Sequence, residues 1–227
     1  MKGADIFNYI DQDVKDGVEG LNVHGVPKSG KSNIVRRINK DCMLRHNENL
    51  IMPGTVNCEW RNLLFHPDKP VKDYKILLPE GFEFKYHNIP DYMEKHFEVI
   101  NYDKIQLADY LEDKSRFLLV IYDNHFRDIY FYKRIEIWNK IAKQLIDRTF
   151  QVERPIGLTF DEAGVYFPQI ALAEHYGEIY RFSNLVVDFR KNNIRLITIS
   201  QLDTEIINTI RLKQYWTILK KGFSRKP

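Results

Sequence analysis

One short stretch restricts the folds open to this chain more than any other, and it reads Gly25-Val26-Pro27-Lys28-Ser29-Gly30-Lys31-Ser32. It follows the pattern G-x-x-x-x-G-K-[ST]. Apolar residues precede it, and residues 33–40 follow it with helical spacing. The pattern therefore predicts a glycine-rich loop between a strand and the amino end of a helix.

The residue types of this loop suit the binding of a nucleoside triphosphate. Gly25 and Gly30 allow a tight turn whose backbone N–H groups point at the β-phosphate. Lys31 reaches the β- and γ-phosphates, and the hydroxyl of Ser32 ligates Mg²⁺. The helix N-terminus adds a partial positive charge. We therefore interpret residues 25–32 as a Walker A loop, in which Lys28 is expected to face solvent.

Apolar runs alternate with helical stretches along the chain. This alternation predicts an α/β fold with a mostly parallel sheet flanked by helices, and together with the Walker A loop it indicates a P-loop NTPase. The predicted core strands cover residues 21–24, 50–52, 117–122, 155–160, 194–200 and 215–219. The predicted helices cover residues 5–10, 31–39, 129–148, 171–189 and 205–213.

The residues between the second and third core strands carry weaker patterns. Two short strands are predicted at 75–78 and 97–100, and helical composition occurs at 56–65 and 106–113. Neither edge has a linker rich in Gly, Ser or Pro. We therefore interpret residues 53–115 as an insertion after the second core strand, within a single P-loop ATPase domain that covers residues 1–227.

Composition excludes several classes of protein. The formal charge is only +3, so nucleic-acid binding would need a local patch or a ring of subunits. Cys42 and Cys58 lack a metal-type spacing, which favours reduced thiols in a reducing compartment. No apolar run approaches the roughly 18 residues of a membrane span, so no transmembrane segment is predicted.

Two carboxylates follow the predicted strand at 155–160. Asp161 is placed to hold Mg²⁺, and Glu162 is placed to polarise a water for in-line attack on the γ-phosphate. The alternative is a solvated acidic turn whose charges favour a helix N-terminus. Because the carboxylates end a strand of the sheet that carries the P-loop, we favour the catalytic interpretation.

Gln201 and Arg190 are weaker candidates on spacing alone. Gln201 closes the strand at 194–200, where a polar side chain could touch the γ-phosphate or the attacking water. It could equally be a polar residue that ends a strand. Arg190 ends a helix and could reach a neighbouring subunit's nucleotide as an arginine finger. It could equally complement the helix C-terminus, as Lys191 would.

Other P-loop classes lack their signatures here. A GTPase would carry N-K-x-D, but Asn39-Lys40-Asp41-Cys42 departs at the last position. The chain has no LSGGQ-like run, and small-molecule kinases rarely place a Glu beside the Asp that holds the metal. These absences favour an ATPase whose nucleophilic water is activated by Glu162.

Together these residues resemble the FtsK–HerA superfamily of DNA-pumping ATPases. The resemblance is carried by Gly25–Ser32, Phe160-Asp161-Glu162-Ala163, Arg190-Lys191-Asn192-Asn193 and Ile199-Ser200-Gln201. It covers about residues 21–40 and 115–220 and not 53–115, and the short chain is similar to single-domain viral packaging ATPases. The superfamily's acidic motif in the second strand is missing from residues 50–53.

The resemblance implies a RecA-like P-loop NTPase fold. It also implies a hexameric ring that hydrolyses ATP with Mg²⁺ at subunit interfaces and draws double-stranded DNA through its pore. It implies that Lys31, Glu162, Gln201 and Arg190 are catalytic and that Ser32 and Asp161 hold the metal. Genome packaging would place the protein in the host cytoplasm or with the virion, with viral capsid or membrane proteins as candidate partners.

Two alternatives stay open. Phe160 to Pro168 also resemble the D-E-A-x-x-x-F-P run of HerA-like and zonular-occludens-toxin-like members. The zonular-occludens-toxin type implies an ATPase for virion assembly or extrusion that acts on protein or membrane partners. A nucleotide-binding regulatory module with little turnover is the other, although Glu162 argues against it. Candidate DNA contacts are Arg181, Lys191 and the basic residues 220–227, each of which could instead be part of a solvated charged face.

Overall fold

A computed structural model describes residues 20–54, 73–79, 97–102, 117–123, 131–147, 155–170, 173–214 and 216–220. These ranges contain the Walker A loop, the two carboxylates after residue 160, Arg190 and Gln201. The helices predicted at 5–10, 56–65 and 106–113 lie outside the described residues, as does most of the basic tail.

The described strands form one sheet of eight strands in which every neighbouring pair is parallel. The order is β4-β3-β5-β2-β6-β7-β1-β8. The strands are β1 (Leu21–His24), β2 (Asn49–Pro53), β3 (Asp73–Pro79), β4 (Phe97–Tyr102), β5 (Phe117–Ile121), β6 (Ile156–Phe160), β7 (Ile194–Ser200) and β8 (Trp216–Leu219). The predicted mostly parallel α/β fold is therefore confirmed.

The central strands are apolar because helices cover both faces of the sheet. Every residue of β1, β6 and β7 is buried. Along β7, Ile194 and Leu196 join one apolar cluster, while Ile197 and Ile199 join the other. A parallel strand with two covered faces is rich in apolar residues on both sides, and the polar side chains that these strands carry, such as Asn22 and Arg195, are buried with hydrogen-bond partners.

The helices are α1 (Lys31–Arg45), α2 (Phe131–Asp147), α3 (Ala163–Tyr166), α4 (Ala173–Phe189) and α5 (Asn208–Arg211). One apolar cluster joins α1 to β1 and β7, with Val35 and Ile38 at its centre. The larger cluster joins α2 and α4 to the sheet through Trp138, Phe160 and Phe182. The two clusters place α1 on one face and α2 with α4 on the other.

The helix predicted at 205–213 is wrong for most of its length. A 3-10 turn covers Asp203–Glu205, and only Asn208–Arg211 is α-helical. Ile206 between them is extended and forms an antiparallel bridge with Pro168, which buries its side chain completely. Pairing with a distant segment overrides the local helical composition. By contrast, α1 continues to Arg45, beyond the predicted end at residue 39.

The predicted insertion contributes β3 and β4 to the edge of the same sheet. β5 pairs with β2 on one side and with β3 on the other, so the core order is kept and the extra strands extend it outward. This arrangement fits an elaboration of the core. That residues 1–227 form a single domain stays a prediction.

A buried ion pair joins the amino ends of the central strands. Both nitrogens Nε and Nη2 of Arg195 donate to the carboxylate of Glu48, with Nε at 3.0 Å from Oε2. Nη2 also donates to Oδ1 of Asn39 at 3.2 Å, and Asn39 bonds Thr159 in β6. Both charged side chains are 2% exposed. The network therefore ties α1, β2, β6 and β7 together at the edge opposite the P-loop.

We expect Arg195→Ala to lower the free energy of unfolding by about 3–5 kcal/mol, because it leaves the Glu48 carboxylate buried without its partner. For a chain of this size the melting temperature should fall by about 10 °C. Arg181→Ala is the matched control, since the Arg181–Glu178 pair is exposed and such pairs contribute about 0–1 kcal/mol. Thermal unfolding by circular dichroism measures both. Equal shifts for the two variants would contradict the expectation.

Candidate functional site

The P-loop follows the carboxyl end of β1 and leads into α1. Gly30 has φ 86°, a left-handed conformation that favours glycine, and it immediately precedes the helix. At Gly25 a Cβ atom would lie 2.7 Å from Cβ of Lys220 and 2.9 Å from Oγ of Ser29. The two glycines of the pattern are therefore needed, one for backbone conformation and one for close packing. Lys28 is exposed, as expected.

The lysine and serine of the loop begin α1. The first N–H groups of a helix have no partner within the helix, so they are available to an anion. Nζ of Lys31 donates to the carbonyl oxygens of Gly25, at 2.6 Å, and of Val26, at 3.0 Å. The ammonium group thus lies across the loop, where phosphate oxygens could replace the carbonyl oxygens as its acceptors.

Ser32 and Asp161 meet although 129 residues separate them. Oγ of Ser32 donates to Oδ2 of Asp161 at 3.1 Å. They meet because the strand order places β7 alone between β6 and β1, and all three strands end at the same edge. A hydroxyl and a carboxylate are the oxygen ligands that Mg²⁺ prefers, so this pair fits the metal of a Mg–ATP complex.

Glu162 occupies an unusual backbone conformation. Its φ and ψ are 54° and 45°, which is the left-handed region, and its side chain is exposed. Its N–H donates to Oδ1 of Asp161 at 3.0 Å. A non-glycine residue in this region costs about 1–3 kcal/mol and is found preferentially at functional sites. Separate roles for the two neighbouring carboxylates stay a prediction.

The helix that follows Glu162 rests on a buried polar and aromatic cluster. Nε1 of Trp138 donates to Oδ2 of Asp123, which follows β5, and Tyr166 of α3 also bonds this carboxylate. Burial raises the pKa of Asp123 from 3.8 to about 6 and raises that of Tyr166. Phe160 packs at 5.1 Å from the Tyr166 ring. The turn that contains Glu162 therefore lies next to a well-packed buried cluster.

Gln201 lies between the two motifs, directly after β7. It is exposed, and its N–H donates to Oε2 of Glu205 at 2.9 Å. A cavity of about 870 Å³ brings the predicted groups together. Its lining includes Lys31, Ser32, Asp161, Glu162 and Gln201 from the predicted set, together with Glu205.

Arg190 lies at the other edge of the sheet. It begins the 3-10 turn Arg190–Asn192, just before the amino end of β7, and it is exposed. Because β7 has seven residues, this turn is about 20 Å from the P-loop edge of the same chain. The structure therefore does not bring Arg190 to its own cavity. The predicted roles of Lys31, Glu162, Gln201 and Arg190 stay predictions.

The candidate DNA contacts carry exposed ion pairs. Arg181 bonds Glu178 at 2.7 Å, and Lys191 bonds Asp188 at 3.3 Å. Of the basic tail, only Lys220 falls in the described part of the chain, and its N–H donates to the carbonyl of His24. These contacts suit a solvated charged face, and DNA binding by any of these residues stays a prediction.

Ser200, which lines the cavity, forms a contact with His24 that the sequence did not predict. Nδ1 of His24 lies 2.7 Å from Oγ of Ser200, whose hydroxyl donates to the carbonyl of Leu202 at 2.8 Å. The hydroxyl proton is thereby used, so His24 donates from Nδ1. Burial is the main cause that lowers the pKa of His24 to about 4, so the ring is neutral at pH 7. Their positions at the ends of adjacent strands, beside two motifs, were the available signal.

No family model matches the chain, and no curated protein matches its sequence. Within the described residues, no helix is long and apolar enough to cross a membrane.

Solved structures are similar to the chain in fold. The genome packaging NTPase B204 from Sulfolobus turreted icosahedral virus 2, in complex with AMP, has a TM-score of 0.53 at 15% identity, covering 92% of this chain and 77% of that chain. The bacterial conjugative coupling protein TrwBdeltaN70 has a TM-score of 0.54 at 12% identity, covering 86% of this chain and 67% of that chain. The N-terminal domain of zonular occludens toxin from Neisseria meningitidis has a TM-score of 0.35 at 14% identity, which is too low to carry an argument.

These similarities confirm the P-loop NTPase fold that the Walker A pattern predicts. The similarity of B204 and TrwBdeltaN70 to this chain is one of fold, and the resemblance to the FtsK–HerA superfamily continues to rest on the four sequence blocks.

Proposed function

We propose that this chain hydrolyses ATP and uses the energy to move double-stranded DNA in the packaging of a viral genome, as a homohexameric ring. The observation that carries the ATPase part is the hydrogen bond between Ser32 and Asp161 at 3.1 Å, with Glu162 and Gln201 around the same cavity. The DNA part is supported by the fold shared with a genome packaging NTPase and a conjugative coupling protein.

Binding of ATP would use the loop and the start of α1. Backbone N–H groups of the loop and of the helix N-terminus would receive the β-phosphate. Nζ of Lys31 exchanges the carbonyl oxygens of Gly25 and Val26 for phosphate oxygens. Ser32 and Asp161 would hold Mg²⁺, which would supply charge neutralisation of the phosphates.

Hydrolysis would use the turn after β6. Glu162 accepts a proton from a water whose oxygen bonds to the γ-phosphorus, while the bond from that phosphorus to the bridging oxygen of ADP breaks. Asp161 accepts the Ser32 hydroxyl whereas the Glu162 side chain is exposed, which supports Asp161 as the group for the metal and Glu162 as the group for the water. Gln201 touches the γ-phosphate or the water and differs in its contacts before and after hydrolysis.

The proposed ring follows from the place of Arg190. Its turn lies about 20 Å from the P-loop edge, so a catalytic role for Arg190 would require the cavity of another subunit, which supports a ring. The guanidinium would neutralise charge that develops on the transferred phosphoryl group. Location in the host cytoplasm or on the virion, beside capsid or membrane proteins, belongs to the same proposal.

ATP hydrolysis by the purified protein, measured with and without linear double-stranded DNA, tests the function. We expect Mg²⁺-dependent turnover that DNA raises several-fold, and Lys31→Ala should abolish it because the phosphates lose their cation. Light scattering with a non-hydrolysable ATP analogue and DNA should show a hexamer. Turnover that is unaffected by DNA would overturn the motor function, and absence of turnover would overturn the ATPase itself.

A further inference from the structure

Glu205 makes a contact that neither the motifs nor the proposed mechanism uses. It ends the 3-10 turn Asp203–Glu205, is half-buried, and lines the same cavity as Glu162 and Gln201. Its Oε2 accepts the backbone N–H of Gln201 at 2.9 Å. A hydrogen bond to a carboxylate is roughly twice as strong as one between neutral groups, so this contact fixes the peptide from which the Gln201 side chain projects.

The same residue also contacts the segment that follows Glu162. The backbone carbonyl of Glu205 accepts the N–H of Gln169 at 2.9 Å, and the N–H of Ile207 donates to the carbonyl of Phe167 at 2.8 Å. A Cβ atom at Gly164 would lie 3.0 Å from Cβ of Glu205 and 3.5 Å from its Oε2. Glycine at this position therefore allows Glu205 to pack closely against the start of α3, two residues after Glu162.

We propose that Glu205 is a positioning residue that holds Gln201 in register with Glu162. The inference rests on the proposed ATPase function. Its backbone is tied to the segment after Glu162 and its carboxylate to Gln201, so the two turns that line the cavity form one unit. The Gln201 side chain is exposed and gains little order from packing. A reacting group displaced by about 1 Å can lose about 10²-fold in rate, so this anchoring has a kinetic consequence.

Asp203 offers a matched control on the same turn. Its carboxylate pairs with Nη1 of Arg211 at 3.2 Å, and it does not line the cavity. Asp203→Ala therefore removes a carboxylate and a charged contact from the turn but leaves the bond to Gln201 intact. A general loosening of the turn should affect both variants, whereas loss of Gln201 positioning should affect only Glu205→Ala.

Steady-state ATP hydrolysis by the full chain separates these effects. We expect Glu205→Ala to lower kcat about tenfold with the KM for ATP within about twofold of wild type. Glu205→Gln should recover most of kcat, because its Oε1 can accept the same N–H. Glu205→Asp keeps the charge but shortens the side chain, so it should lose kcat like Glu205→Ala and serves if that variant fails to fold. Asp203→Ala should stay near wild type.

The double variant Gln201→Ala/Glu205→Ala decides whether Glu205 acts through Gln201. We expect it to be no slower than Gln201→Ala alone. Full additivity, or a Glu205→Gln variant as slow as Glu205→Ala, would overturn the inference. A wild-type kcat in Glu205→Ala combined with a slow Gln201→Ala would also overturn the inference. That result would leave the proposed ATPase function intact. A wild-type protein without turnover would instead overturn both.

Discussion

Glu162→Gln is expected to lower kcat for ATP hydrolysis by about 10²–10⁴-fold while ATP still binds, because a general base contributes about that factor. The amide keeps the size of the side chain but accepts no proton from the attacking water. Glutamine adopts the left-handed conformation of this position, φ 54°, at no greater cost than glutamate, so the turn should persist. Single-turnover hydrolysis and equilibrium binding of a fluorescent ATP analogue measure the two quantities separately.

Glu136→Gln controls for the loss of one negative charge. Glu136 lies on α2 in an exposed pair with Lys140, at 2.8 Å, and does not line the cavity. ATP turnover by the Glu136→Gln protein should match that of the wild type. If Glu162→Gln hydrolysed ATP as fast as this control, Glu162 would not be the general base. It would instead belong to a solvated acidic turn, which is the alternative that the sequence allows.

The parts of the fold that could be predicted are those where burial alone determines the pattern. β1, β6 and β7 are covered on both faces, so each is fully buried and rich in apolar residues, and each ends where a motif residue begins. The contact between Ser32 and Asp161 follows from that, because parallel strands that lie close together bring their carboxyl ends to one edge. The sequence therefore predicts which side chains line the cavity because it predicts the strands whose carboxyl ends precede them.

The parts that could not be predicted depend on pairing between distant segments. The bridge between Pro168 and Ile206 replaces the helix that local composition indicated at 205–213. The Glu48–Arg195 pair joins residues 147 positions apart, and neither side chain differs in sequence from an ordinary surface charge. Glu205 likewise carries no sequence signal, because its partners are the backbone N–H groups of Gln201 and Gln169.

Arg190→Ala is expected to lower ATP hydrolysis by the assembled ring about 10³-fold, the lower end of what an arginine finger contributes, with ATP binding and assembly retained. Arg190→Lys should recover little, since an ammonium lacks the planar fork that engages two phosphoryl oxygens. Lys140→Ala removes an exposed cation from α2 and should leave turnover unchanged. If Arg190→Ala hydrolysed ATP as fast as this control, Arg190 would instead be a cation that complements the helix C-terminus.

Mixing two inactive proteins tests whether Arg190 acts on another subunit. In a mixed ring, each Arg190→Ala subunit keeps an intact Glu162, and each Glu162→Gln subunit keeps an intact Arg190. An interface is therefore complete where the cavity of an Arg190→Ala subunit faces the Arg190 turn of a Glu162→Gln neighbour. Random mixing in equal amounts makes about a quarter of the interfaces complete, so turnover should rise well above that of either protein alone. If Arg190 served its own cavity, each subunit would lack one of the two groups and no mixture would recover. The roughly 20 Å between the Arg190 turn and the P-loop edge of the same chain favours recovery.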